Sequence, residues 1–410
     1  MDFVSKISDN ILNNGHIINF LTDIDLYKLT MLQFIYHKFS SVTSKYKFKN
    51  RTKGIDLSQY INEINTEIDW LCTLKFQNFE LEHIKKLRFM KEDFIYFLSL
   101  FQLNRKWIQV YIDSNGELQI EAEGPWLYVM MFETYILAII EEIYTRNNFK
   151  NLDFSEGRKK LNNKIDIILD FIKKTEKTFS FADFGTRRRF NFIWQEEVIA
   201  TLCNKLPKNV FIGTSNVLFS ILYNIKAIGT MAHEIFQAGQ ALGPRPINSQ
   251  SFILKEWADE YRGDLGIALT DTLGFDKFLK DFDLYFAKLY DGGRHDSDDP
   301  FKWVDKFIDH YVKLNINPLT KSAVFSDGLD IPIAIKLAEY CYGRILYSFG
   351  IGTNLTNDVG VKALQLVMKI VLCNGLNVAK ISDNPSKGMC ESKEYEEYLR
   401  YEIKRDLNRN

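Results

Sequence analysis

The chain has 410 residues, 46% hydrophobic and 26% charged, which is the balance of a globular protein with one large or two ordinary domains. Basic residues number 52 and acidic residues 53, so no global field favours nucleic acid or an anionic membrane, and any anion site must come from local clusters. The five cysteines (Cys72, Cys203, Cys341, Cys373 and Cys390) are odd in number, scattered and in no C-x-x-C spacing; this argues against a disulfide scaffold or a zinc site and fits a reducing cytoplasm.

From the N-terminus, "MDFVSKISDNILNNG" has no apolar core of signal-peptide length. Residues 55–74 and 91–102 carry apolar side chains at three- and four-residue spacing, the helical period. Residues 107–124 hold two alternating runs around Ser114-Asn115-Gly116, which predicts a β-hairpin. The apolar run at 126–140, "WLYVMMFETYILAII", is short for a membrane span and contains Glu133; a buried core helix is expected. A polar stretch then marks a domain boundary near residue 150, which closes an N-terminal α/β domain (1–150).

From about residue 178 the pattern becomes regular, with short apolar runs that end in Gly, Ser, Thr, Asp or Arg, each leading into a helical-period segment. The runs are "TFSFADFGTRRR", "NVFIGTSN", "KAIGTMAHE", "LGIALTDTLG", "LYDGGRHDSDD", "SAVFSDGLD" and "ILYSFGIGTNL". Alternating strands and helices imply parallel β/α architecture, and seven units suggest a closed or nearly closed barrel over 151–375. In such barrels, ligand sites form where the strands end.

The polar clusters at those ends suit anions. Arg187, Arg188 and Arg189 could meet phosphate through paired charge-assisted hydrogen bonds, or could be surface charge. "SFGIGTNL" is a glycine-spaced turn whose backbone could approach a phosphate, with Thr353 adding a hydroxyl, although many turns share the pattern. "GGRHDSDDP" places one arginine beside three carboxylates, as Mg²⁺-bound pyrophosphate requires; Asp299 reads as the cap of the next helix and Asp296 as the ligand. Asp327 and Gly328 form a similar strand end. His233 comes after a Gly-Thr turn and opens a helix, where it could be a nucleophile with its product stabilised, or a packed neutral histidine.

Eight segments in this order resemble the nicotinate phosphoribosyltransferase family: "TDIDLYKLTM", "DFGTRRRF", "GTSN", "GTMAHE", "RHDSDDP", "FSDGLD", "SFGIGTNL" and "AKISDNPSK", spanning about residues 20–395. The resemblance implies a type II phosphoribosyltransferase fold, an N-terminal α/β domain plus an irregular α/β barrel, with a C-terminal segment (376–410) that returns to the first domain. It implies that nicotinate is joined to phosphoribosyl pyrophosphate with coupled ATP hydrolysis and Mg²⁺, in NAD salvage, by a cytoplasmic homodimer with interfacial sites. His233 matches the histidine that ATP phosphorylates. Tyr27, expected from the neighbouring subunit, and Phe184 match the aromatics that sandwich the pyridine ring, while Arg294 and Thr230 match contacts near its carboxylate. Arg187, Asp296, Asp327, Gly328, Gly350, Gly352 and Thr353 match positions around the phosphoribosyl and phosphate groups, with Asp296 the candidate metal ligand.

Three positions depart from the pattern. Asp298 stands where relatives usually have Gly, and Ile235 and Gly239 replace a Trp and a His common in bacterial members. Rival readings are a nicotinamide or quinolinate phosphoribosyltransferase, a catalytically dead homologue that acts as a ligand-binding scaffold, and an unrelated sugar-phosphate enzyme with His233 as general base.

Overall fold

Eleven strands run through the described residues of the structure, a computed structural model that describes 14–175, 177–382 and 388–409. They are β1 (Thr43–Asn50), β2 (Ile108–Ile112), β3 (Leu118–Pro125), β4 (Phe181–Asp183), β5 (Phe211–Thr214), β6 (Ile267–Leu269), β7 (Gly292–His295), β8 (Ser322–Phe325), β9 (Leu346–Ile351), β10 (Leu366–Cys373) and β11 (Leu376–Asn377). They form two sheets, a five-stranded one in the order β11-β10-β1-β3-β2 and a six-stranded one in the order β5-β4-β9-β8-β7-β6.

Every pairing in the first sheet is antiparallel, and its strands show the side-chain alternation of a sheet with one covered face. In β1, Tyr46 and Phe48 point inward while Lys45, Lys47 and Lys49 point to the outer face. The expected hairpin joins β2 to β3, with Ile112 opposite Leu118 and Gly116 at φ +81 in the turn. The apolar run after it forms the short helix Trp126–Val129 and the buried helix Phe132–Asn148. Among the described residues, no helix is long and apolar enough to cross a membrane.

The second sheet is wholly parallel. Its strands are short, and in β4 every residue is buried, as expected of strands covered on both faces. Six of the seven runs read as barrel strands are strands. The seventh, around Ala227, makes only one parallel bridge, to Thr214. Gly213 explains the close approach there, because a Cβ on it would lie 2.2 Å from the Lys226 carbonyl oxygen. Residues 226–230 thus span the gap between the edge strands, bonded to β5 through Ile228 N–H to the Thr214 carbonyl (2.8 Å) and to β6 through the Thr230 hydroxyl to the Ile267 carbonyl (2.9 Å). The barrel is irregular at this one seam, beside His233.

The chain returns to the antiparallel sheet through β10, which pairs with β1 along its length, and residues after 376 stay on it through β11, through Gly388 against Arg51 and through Glu391 against Lys47. The last helix, Lys393–Leu407, instead rests on the barrel. Leu399 packs with Leu273, Ala379 and Ile381, and Asp406 lies 3.2 Å from the Lys277 ammonium.

Candidate active site

Parallel register brings the C-terminal ends of β4 to β9 to one face, so the segments after them share a rim. The first feature there is a buried polar scaffold. Arg189 has no exposed surface and holds Asp23 with two bonds of 2.7 and 2.8 Å. Asn216 also donates to Asp23 (2.7 Å), while Thr214, Gln195 and the Gly185 N–H donate to Asp183. Burial pushes Asp183 up to about 6 in spite of these donors. Much of "TDIDLYKLTM", "DFGTRRRF" and "GTSN" is therefore mutual packing. The arginine triplet divides: Arg189 is buried and structural, while Arg187 and Arg188 are partly exposed, Arg187 lying 3.3 Å from Glu133.

Phe184 and the glycines after β9 explain one another. A Cβ on Gly350 would lie 2.3 Å from the Phe184 ring, and one on Gly352 would lie 3.0 Å from the Phe184 carbonyl oxygen. Phe184 lying on these glycines is a packing reason for them beside the phosphate approach read from the sequence. Gly328 is the opposite case, with φ +58 and open space where a side chain would be, next to the half-buried Asp327 at the end of β8. Gly352 precedes the one-turn helix Thr353–Thr356. Tyr27, on the helix Leu26–Lys38, has a buried hydroxyl beside the Thr134 side chain; it is coupled electrostatically to Glu133, Arg187 and Asp25 of its own chain. Neither the Tyr27 nor the Phe184 ring stacks on another aromatic ring among the described residues.

His233 is the first residue of the helix His233–Leu242 and is 7% exposed. Its Nε2 lies 2.7 Å from Asp271 Oδ1 and 3.6 Å from Asp296 Oδ2. Asp271 Oδ2 accepts from Ser297 (2.7 Å) and from the Lys380 ammonium (3.0 Å). Burial, helped by the Lys380 charge, pushes His233 down to about 4 although both carboxylates pull the other way. Burial works to raise Asp271, but His233, Lys380 and Ser297 hold it well below the carboxylate range. At neutral pH the carboxylate is ionised and the imidazole neutral. An ionised carboxylate only accepts, so Nε2 carries the proton and Nδ1 keeps its lone pair, the form of a nucleophile.

Asp271 is thus the residue that orients His233, and the adjacent Glu234 is not. Glu234 faces away, accepting from Lys28 (2.7 Å) and Tyr46 (2.6 Å). Lys28 also binds Glu133 (2.7 Å), which in turn meets Arg187. Two lysines escaped the sequence reading: Lys380, and Lys369 on β10, which burial and the Lys380 charge push down to about 8. Asp271 had only a signal shared by several strand ends, a carboxylate just after an apolar run.

Arg294, on β7, is half-buried, and its Nε is buried with no partner among the described residues. An unsatisfied guanidinium edge suits a planar anion such as a carboxylate. The Thr230 hydroxyl spends its proton on Ile267 at the barrel seam and keeps only acceptor capacity for a ligand. His233, Asp271 and Asp296 offer donor atoms within 4.8 Å of one another. Mg²⁺ prefers oxygen ligands and is usually held by one or two carboxylates plus substrate phosphates, so Asp296 fits it, while the histidine does not and Asp271 already spends its oxygens on His233, Ser297 and Lys380.

The departures have local explanations. Asp298 is exposed and has φ +71, a left-handed conformation that Asp tolerates better than most residues. Asp298→Gly is expected to hold stability or raise it by up to about 1 kcal/mol, and Asp298→Val to lower it by about 1–2 kcal/mol. Urea unfolding midpoints check this, and equal midpoints for the two variants would refute it. Ile235 is fully buried in the core. A Cβ on Gly239 would lie 2.7 Å from Ile253 Cγ1, so the close approach of helix Ser249–Tyr261 leaves no room for a histidine there. "AKISDNPSK" lies partly outside the described residues.

Comparison with known proteins agrees with this layout. Residues 179–406 match the nicotinate phosphoribosyltransferase (NAPRTase) family, and residues 22–141 match the NAPRTase N-terminal domain. The nicotinate phosphoribosyltransferase of Burkholderia mallei is 50% identical over 386 residues, 94% of this chain and 96% of that protein. That of Cupriavidus necator is 50% identical over 388 residues, 94% of this chain and 97% of that protein. The crystal structure of the Vibrio cholerae nicotinate phosphoribosyltransferase superposes with a TM-score of 0.91 at 37% identity, covering 95% of each chain. That from Porphyromonas gingivalis gives 0.89 at 30% identity, covering 95% of this chain and 100% of its own.

Proposed function

The chain belongs to the nicotinate phosphoribosyltransferase family, and on that premise we propose that it joins nicotinate to phosphoribosyl pyrophosphate with coupled hydrolysis of ATP, through transient phosphorylation of His233. The observation that carries the reading is the buried, neutral His233, whose Nε2–H is committed to Asp271 and whose Nδ1 lone pair remains for attack.

In the first half-reaction, the Nδ1 lone pair attacks the γ-phosphorus of ATP. The bond to the β,γ-bridging oxygen breaks with its electron pair leaving on ADP, and the Nε2 proton stays shared with Asp271. Phosphorylation adds roughly two negative charges and strong acceptors beside the strand ends, where they could order the loops that hold phosphoribosyl pyrophosphate. In the second half-reaction, the bond from ribose C1 to pyrophosphate breaks with oxocarbenium character, pyrophosphate leaves with the electron pair, and the nicotinate nitrogen attacks C1; water then cleaves the N–P bond, releasing phosphate and returning the Nδ1 lone pair to His233. Arg187 and the rim at Asp327, Gly328 and Thr353 would receive the phosphoribosyl and leaving groups, and Arg294 the nicotinate carboxylate. The unpartnered Arg294 edge favours a carboxylate over a carboxamide. Mg²⁺, when bound through Asp296, would supply charge neutralisation at the phosphates. Phe184 and Tyr27 hold the pyridine ring, in a homodimer where Tyr27 completes the neighbour's site; sedimentation of the purified protein checks that assembly.

The test is one assay with Mg²⁺, phosphoribosyl pyrophosphate and nicotinate, nicotinamide or quinolinate, each with and without ATP, quantifying mononucleotide and ADP. Nicotinate mononucleotide formed together with ADP is the expected result; ligand binding with no mononucleotide from any base would make the chain a scaffold. His233→Ala is expected to lower ADP formation by at least about 10³-fold and to leave weak ATP-independent synthesis. ATP-stimulated turnover in that variant would overturn the role of His233.

A further inference from the structure

We propose that Glu133 is a positioning residue that holds the Arg187 guanidinium in the orientation in which it grips phosphoribosyl pyrophosphate; the inference rests on the substrate role proposed for Arg187 above. Glu133 is the carboxylate inside the apolar run 126–140, where a charge is costly and needs a reason. It lies in the first turn of the buried helix Phe132–Asn148 and is 7% exposed.

Its neighbours supply the reason. The Lys28 ammonium is fully buried and meets an acceptor for each of its N–H groups: the Met130 carbonyl (2.8 Å), Glu234 (2.7 Å) and Glu133 (2.7 Å). Glu234 alone neutralises Lys28, and its other oxygen accepts from the Tyr46 hydroxyl (2.6 Å), to which the Trp126 indole N–H donates in turn (2.9 Å). A second carboxylate would leave this cluster with a surplus buried negative charge, a strongly unfavourable state. Arg187 balances it, because Glu133 gives Oε2 to Lys28 and Oε1 to Arg187 Nη1 (3.3 Å). Burial works to raise Glu133, but Lys28, Arg187 and Lys369 hold it below the usual carboxylate range.

The two partners of Glu133 differ in freedom. Lys28 is locked, and the helix Leu26–Lys38 that carries it is tied to the barrel seam by the Thr30 hydroxyl, which donates to the Thr230 carbonyl (2.6 Å). Arg187 lies in the short 3₁₀ turn Thr186–Arg188, and its side chain is 41% exposed. A long, partly exposed side chain has rotamer freedom that a paired grip on a phosphate must remove. Glu133 removes part of it in advance, and does so from a fixed point, since its own carboxylate is anchored by Lys28. The bond uses one of the guanidinium N–H groups, and the others suit a phosphate.

The test is the KM for phosphoribosyl pyrophosphate in a double-mutant cycle of Glu133→Gln and Arg187→Met, with nicotinate, ATP and Mg²⁺ saturating. Glutamine keeps the volume, but Lys28 draws its single oxygen, so its NH₂ faces Arg187 and the bond to Nη1 is lost. Glu133→Gln is expected to raise this KM by about tenfold when Arg187 is present and by less than about twofold in Arg187→Met, with the KM for nicotinate within about twofold throughout. An equal rise in both backgrounds would mark Glu133 as merely structural and overturn the proposal, as would a rise under about twofold with Arg187 present. Glu133→Asp keeps the charge beside Lys28 and shortens the reach to Arg187, and serves if the glutamine variant does not fold. Its expected rise is about threefold, again only with Arg187 present, and the absence of that rise would overturn the proposal. An unchanged KM in Arg187→Met alone would instead overturn the substrate role of Arg187 and this inference with it, an outcome distinct from the others.

Discussion

Asp271→Asn is expected to reduce ADP formation by about 10³–10⁴-fold in a protein that still folds. The reason lies in how the carboxylate divides its oxygens. Oδ2 accepts from both Ser297 and Lys380, while Oδ1 accepts from His233 Nε2 alone. An asparagine must place its single oxygen toward the two donors, which turns its NH₂ toward the imidazole. Nε2 must then accept, the ring proton moves to Nδ1, and the lone pair proposed to attack the phosphorus is gone. Stopped-flow measurement of ADP release against the thermal midpoint of the same variant checks the prediction. A loss under tenfold, with the midpoint kept, would show that Asp271 does not set the tautomer.

Arg189→Met is expected to cost about 3–5 kcal/mol of stability, the range for removing one partner of a buried ion pair. Its guanidinium is wholly buried, holds Asp23 with two bonds, lies 3.7 Å from Glu142 and stacks 5.2 Å from the Phe192 ring centroid. Without it, Asp23 stays buried with Asn216 as its remaining side-chain donor, and Glu142, which burial already pushes up to about 7 against the pull of Arg189, loses that pull. Arg187→Met is the control. That side chain is 41% exposed and contacts Glu133 at 3.3 Å, so its loss should change stability by under about 1 kcal/mol and fall instead on substrate use. Urea unfolding with an unchanged slope measures both. Equal destabilisation by the two substitutions would contradict the division of the triplet into a structural and a functional arginine.

The site was legible where its chemistry is local. Asp299 caps the helix Pro300–Lys313, accepting from the Phe301 and Lys302 N–H groups, as its place before Pro300 suggested. Gly116 sits at positive φ in the hairpin, and Asp298 takes the left-handed conformation that its motif position demanded. His233 opens its helix, although the run before it is a seam with one bridge rather than a strand. The glycines at 350 and 352 also have a packing reason that the sequence did not show, because the Phe184 ring and carbonyl that lie on them come from the end of β4, distant in sequence.

By itself, the sequence determined the alternation of strands and helices, the polar strand ends and the turn conformations, since each depends on periodicity or on backbone sterics within a few residues. Only the tertiary structure decided which carboxylate meets His233, that Lys380 joins them from the far end of the chain, that Arg189 is buried while Arg187 is not, and that the imidazole is neutral. Those are properties of burial and of side chains that converge from separate elements. Asp271 and His233 are 38 residues apart, and the water excluded from between them, which sets their charges, is excluded by the whole fold.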